Sequence, residues 1–169
     1  LLLSSAASDV YKRQVKDTDA RLSEFRGFDL SAGTTGASTI TMTGVTLATT
    51  LIGGTGNDTI TAGAGNDTVS GGNGDDSITG AAGADSLVGG AGDDEFVYAT
   101  NAAFVTGNAA VDVVDGGANN DSVVSKEKIT LVTADDLQRI ENVESLKTAA
   151  SVTAASSIVM NTDANLSEF

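Results

Sequence analysis

Seven aspartates fall on a nine-residue grid: Asp58, Asp67, Asp76, Asp85, Asp94, Asp112 and Asp121. Carboxylates at a fixed spacing offer acid/base catalysis or oxygen ligation of a cation. The 169-residue chain has no Cys, His, Trp or Pro. That removes disulfides, thiol chemistry, Ser-His-Asp and Cys-His catalysis, and soft or imidazole metal sites. Oxygen ligands remain in quantity, and they suit hard cations such as calcium or magnesium. The adjacent pairs Asp75–Asp76 and Asp93–Asp94 are weaker candidates for acid/base work, because neighbours in one loop read first as loop residues. The chain is expected not to be an enzyme.

The grid belongs to a template. Residues 53–61 read GGTGNDTIT, followed by AGAGNDTVS, GGNGDDSIT, GAAGADSLV and GGAGDDEFV, five turns in 45 residues. Position four is always glycine (Gly56, Gly65, Gly74, Gly83, Gly92), position six always aspartate. Position eight is always a large apolar residue: Ile60, Val69, Ile78, Leu87, Phe96. Each turn divides into a six-residue loop and a three-residue strand. Side chains alternate along a strand, so position eight points inward while the small or polar residues at seven and nine point out. The remaining loop glycines (Gly53, Gly54, Gly63, Gly71, Gly72, Gly80, Gly89, Gly90) permit the positive φ of sharp bends. The expected fold is all-β, a parallel β-roll or solenoid with short flanking strands.

The pattern G-G-x-G-x-D-x-U-x resembles the calcium-binding nonapeptide repeat of RTX, or haemolysin-type, proteins. The resemblance implies two nonapeptides per coil, so that every second repeat stacks on the same side. It also implies Ca2+ between stacked loops, held by position-six aspartates and loop carbonyls. Asp58, Asp76 and Asp94 then form one row, Asp67 and Asp85 the other. Counting on in nines adds Asp112 to the first row and Asp121 to the second, with Ala103 interrupting the latter. Electrostatics agree with a counter-ion. Carboxylates on coils about 4.8 Å apart repel by ~1 kcal/mol in water and ~3.5 kcal/mol at an effective dielectric of 20. The roll is expected to be largely unfolded without calcium.

Departures from the template are Ala62 and Ala81 in place of glycines, Ala84 at position five, and Asn119 in the sixth repeat, GGANNDSVV. An alanine is strained wherever positive φ is required. Val105, Val114 and Val123 keep position eight downstream. Leu51 and Met42 keep it upstream, where STITMTGVTL alternates like a strand.

The divisions are residues 1–14, 15–52, 53–97 (the roll), 98–124 (its degenerate continuation) and 125–169. The stretch SSAASDVYKRQ resembles translated sequencing-adapter text, so residues 1–14 are expected to be non-native. In the last segment KITLV, VESLKT and SSIVM read as strands, and TADD as the start of a short helix reaching Arg139. Residues 15–25 and 159–169 agree at eight of eleven positions at an offset of 144. The expectation is a tandem array whose next unit starts here.

The formal charge is −14, and residues 27–125 hold twelve acids and no Lys or Arg. Nucleic acid and anionic membrane surfaces are therefore poor partners, and no apolar run is long enough to span a bilayer. The leading expectation is a calcium-dependent structural module of a secreted or surface bacterial protein, an S-layer component or adhesin. Self-association and cell-surface polysaccharide are the partners considered, and the family's usual exit is type I secretion. The alternative is the C-terminal RTX region of a secreted protease or lipase with its catalytic domain elsewhere. An ice-binding solenoid ranks below both, because no repeating Thr ladder forms on the loop side.

Overall fold

The structure, a computed structural model, describes residues 26–31, 36–100, 112–127 and 139–148. Every regular element among them is a strand. The order is β1 (Gly27–Asp29), β2 (Thr39–Thr41), β3 (Thr50–Thr55), β4 (Thr59–Thr61), β5 (Thr68–Asn73), β6 (Ser77–Thr79), β7 (Ser86–Ala91), β8 (Glu95–Tyr98), β9 (Val113–Ala118), β10 (Ser122–Ser125), β11 (Ile140–Glu141) and β12 (Ser145–Thr148). Successive strands go to opposite sheets. Odd-numbered strands form one six-stranded sheet, even-numbered strands the other, and both are parallel throughout. This is the expected β-roll.

The alternation works as the nine-residue template requires. Leu51, Val69, Leu87 and Val114 line up through one sheet, and Ile40, Ile60, Ile78, Phe96 and Val123 through the other. All are buried, and together they make the core between the sheets. β-Branched residues at most of these places suit a pleated surface, and similar shapes stack at the strand spacing. Places seven and nine of the five turns in residues 53–97, such as Thr59, Thr68 and Ser70, lie at the surface or half-buried. Most strands of the odd sheet are longer than the template's three residues. β3, β5, β7 and β9 run through the glycine pair, so that Gly54, Gly72, Gly90 and Gly117 also stand in register.

Two expectations about phase are corrected. From β7 to β9 and from β8 to β10 the pairing steps over three nonapeptides instead of two: Ser86 pairs with Val113, and Ser122 with Glu95. The added stretch of chain between these strands moves everything downstream by half a coil. Upstream, Ile40 rather than Met42 pairs with Ile60. Met42 is buried, but two places further on. In both places the chain adds residues in a connection and keeps apolar residues facing inward, since a slip within the strand would turn them to solvent.

VESLKT contains a strand, β12, as expected. KITLV, SSIVM, Val105, Ala103 and nearly all of the expected helix lie outside the described residues, as do 1–14 and the two echoing segments. Asn119, with φ 91°, and Ala81, with φ 72°, occupy left-handed backbone. Ala62 does not, so of the two alanine replacements only Ala81 is strained.

The longer step before β9 and β10 is open to test. Deleting nine residues from within 101–111 should restore the two-repeat step while keeping Val114 on Leu87 and Val123 on Phe96. The shortened chain should retain its calcium-dependent circular dichroism and lose less than about 1 kcal/mol, as loop changes generally do. Collapse of the β signal would contradict this register. Ile78→Ala, in contrast, should cost about 2–5 kcal/mol in a calcium-saturated melt.

Candidate metal centre

Each loop carboxylate is set in place by the strand before it. In β3, β5, β7 and β9 the inward residue two places after the apolar one is always glycine: Gly53, Gly71, Gly89 and Gly116. A Cβ built on any of these would run into the carboxylate closing the same loop, that of Asp58, Asp76, Asp94 and Asp121 respectively. The missing side chain thus leaves the space that the carboxylate fills. Gly80 does the same for Asp85 on the even side. Several other glycines bring backbones together, as where a Cβ on Gly92 would strike the carbonyl of Gly74, and one on Gly83 that of Gly65. Gly56 is likewise packed against residues 36–37, and Gly65 against Leu47 and Ala48.

The aspartates form two rows of hydrogen bonds running between coils. In the first row the N–H of Ser38 donates to Oδ1 of Asp58 at 2.6 Å, Asp58 to Asp76 at 2.7 Å, Asp76 to Asp94 at 2.8 Å, and Asp94 to Asp121 at 2.8 Å. The row ends where the N–H of Asp121 donates to Oε2 of Glu144 at 2.6 Å. In the second row Thr49 donates to Asp67 at 2.7 Å, Asp67 to Asp85 at 2.8 Å, and Asp85 to Asp112 at 2.9 Å. The backbone carbonyls of Asp58, Asp76 and Asp94 accept from Ser77, Glu95 and Ser122, so both backbone groups of each are engaged by the coil above. On the outside, position five builds a ladder in the opposite sense. Asp75 N–H donates to Asn57, Asp93 to Asp75, and Asn120 to Asp93.

All seven expected aspartates are therefore brought into rows, but two join the row opposite to the one that counting in nines assigns. Asp112 stacks on Asp85 and Asp121 on Asp94. The cause is the three-repeat step. Sequence reasoning missed the row ends. Thr49 stands two repeats before Asp67, on the grid, and could have been found there. Ser38 and Glu144 meet Asp58 and Asp121 at separations that no count in nines reaches.

One carboxylate oxygen of each residue is thus satisfied, and in six of them the other is not. Oδ2 of Asp58, Asp76, Asp85, Asp94, Asp112 and Asp121 is buried without a hydrogen bond. Each of these residues exposes no more than 2% of its surface. A buried anionic oxygen with no partner is costly. It must take a proton or a cation. Burial, the largest influence, pushes Asp76 and Asp112 up to about 7, and Asp85 and Asp94 up to about 6. Asp58 and Asp121 are raised as well, again chiefly by burial. Neighbouring acids push Asp76 and Asp94 in the same direction, while the N–H donors of the coil below oppose it. No cluster of three or more acidic, His or Cys side chains converges among the described residues. A cation in a row would thus meet carboxylates from adjacent loops and take its other ligands from loop carbonyls, as hard cations accept.

The chain matches the family model of the RTX calcium-binding nonapeptide repeat in four copies, over residues 43–78, 70–98 and 104–124. No curated protein and no solved structure gives a match.

The raised carboxyls dictate how the metal-free roll responds to pH. Each binds a proton more readily in the folded than in the unfolded chain. Its stabilising contribution is complete below the ordinary value of 3.8 and is lost as pH rises through the folded values of about 6 to 7. In chelator, the β signal and thermal midpoint should therefore increase on acidification from about pH 7.5 to about pH 5, a range that stays above the isoelectric point near 4.1. Stability that is flat or falls on acidification would contradict the buried, uncompensated state of these groups.

Proposed function

The chain is an RTX calcium-binding nonapeptide-repeat protein, and from that premise we propose that it is a structural module that folds on binding calcium outside the cell. The observation that carries this reading is the set of buried, unpartnered Oδ2 atoms on Asp58, Asp76, Asp85, Asp94, Asp112 and Asp121. These six residues, with carbonyls of the glycine loops, would hold the ions. Bound calcium would supply the positive charge that stacked acids lack. Calcium suits irregular sets of carboxylate and carbonyl oxygens better than magnesium, which demands a near-ideal octahedron. Extracellular calcium modules bind on the order of 10⁻⁴–10⁻³ M, a range that leaves such a chain unfolded inside a cell and folded outside it.

The module does no chemistry of its own in this reading. The chain lacks Cys and His, and its aligned acids are enclosed in loops. No helix among the described residues is long and apolar enough to cross a membrane. The echo between residues 15–25 and 159–169, with Thr-, Ala- and Ser-rich flanks, supports a repetitive surface protein. An S-layer component or adhesin, exported by the type I route usual for RTX proteins, fits that description. The alternative, an RTX region appended to a secreted hydrolase, differs in what adjoins the module rather than in what the module does. A catalytic domain on the same gene would decide for it.

Circular dichroism in chelator and in about 5 mM calcium, above the range typical of extracellular modules, tests the central claim. The expected result near neutral pH is little β signal in chelator and a cooperative gain on adding calcium. Asp58→Asn, Asp76→Asn and Asp94→Asn combined should abolish that gain at the same calcium level. Equal folding of the native chain in both conditions would sink the proposal.

A further inference from the structure

The two rows are not built alike. On the odd side every residue facing a loop carboxylate of the first row is glycine: Gly53, Gly71, Gly89 and Gly116. On the even side the same place holds Ala62, Gly80 and Tyr98 in turn. Where glycine stands, the Oδ2 it faces is unpartnered; this holds for Asp58, Asp76, Asp94 and Asp121, and for Asp85 opposite Gly80. Where Ala62 stands, the carboxylate is held by the protein itself. Asp67 Oδ1 accepts from both the N–H and the Oγ1 of Thr49, at 2.7 and 2.8 Å, and Oδ2 accepts from the Gly63 N–H at 3.1 Å.

The surrounding charge differs in the same sense. Position five beside the first row carries Asn57, Asp75, Asp93 and Asn120, two acids among four, and Glu144 accepts the N–H of Asp121 at the row's end. Beside the second row position five carries Asn66 and Ala84. A more negative setting favours a divalent cation, and three protein donors on one carboxylate leave little for a cation to improve.

We propose that the rows are unequal: every aspartate of the Asp58–Asp76–Asp94–Asp121 row takes calcium, whereas in the second row Asp67 is a structural carboxylate that takes no ion. This rests on the calcium reading above and sharpens it. The first row has four unpartnered oxygens in succession, and so binds ions along its whole length. The second is closed at Asp67 by Thr49 and Gly63, while Asp85 and Asp112 each keep one unpartnered oxygen.

Isothermal titration with calcium chloride, followed by thermal melts in saturating calcium, tests this on the full chain. Asp76→Asn should lower the number of bound ions by at least one, or weaken binding at least tenfold. Asp67→Asn should leave the number of ions unchanged while lowering the melting temperature. Thr49→Val, a milder change that removes one donor to Asp67, should behave as Asp67→Asn does and serves if that variant does not fold. Loss of ions from Asp67→Asn or Thr49→Val equal to that from Asp76→Asn would overturn the inequality and leave the calcium reading standing. A native chain that takes up no calcium at millimolar concentration would overturn both.

Discussion

Stacked carboxylates are the constraint on which this roll depends. Each coil places an aspartate over the aspartate of its neighbour, and each joins its Oδ1 to the N–H of the coil next to it. That bond locks the register of loop on loop as strand pairing locks strand on strand. It also brings like charges to within one strand spacing and shuts second oxygens away from water. A neutral hydrogen-bonding side chain could do the first job without the second consequence, as the amides of Asn57 and Asn66 do in accepting the N–H of Asp75 and Ala84. The acid is therefore a choice for charge, and it ties folding to whatever neutralises that charge.

Glycine is what makes the arrangement sterically possible. The inward face of β3, β5, β7 or β9 carries one large apolar residue and then none, and the carboxylate turns into the gap. In the turn that carries Ala62 in place of that glycine, Asp67 has its partners within the protein. Core and site are consequently not separate layers here. The apolar column and the acidic column alternate along one inward face, so the packing of Leu51, Val69 and Leu87 sets the spacing at which Asp58, Asp76 and Asp94 meet.

A roll of this kind buries only about one large side chain per nonapeptide, while ordering of the backbone must be met in every residue. Parallel pairing from coil to coil supplies hydrogen bonds, but these replace bonds to water and contribute modestly in net terms. The remaining source of stability sits in the loops, and it is conditional on pH or on cations. The polar outer faces, with Thr59, Thr68 and Ser70 at or near the surface, leave no second core among the described residues to compensate.

Much of this was legible in the residues alone. The nine-residue period, the apolar place at eight, the glycine bends and the oxygen-only chemistry depend on local geometry, which side-chain alternation and backbone sterics dictate directly. So does the tolerant Asn119, whose residue type accepts left-handed backbone, whereas the template left open which of Ala62 and Ala81 would be strained. What only the tertiary structure decided is which coils meet. Asp112 and Asp121 exchange rows because pairing skips a nonapeptide's length after Tyr98, and Ile40 displaces Met42 because the chain lengthens before β3. A periodic count carries row identity only while no residue is added between strands. Strand pairing tolerates such additions, since the connection absorbs them while the buried side chains keep facing inward. The partners that end the first row, Ser38 and Glu144, were hidden for the same reason: they are chosen by contact in space, at separations that no repeat encodes.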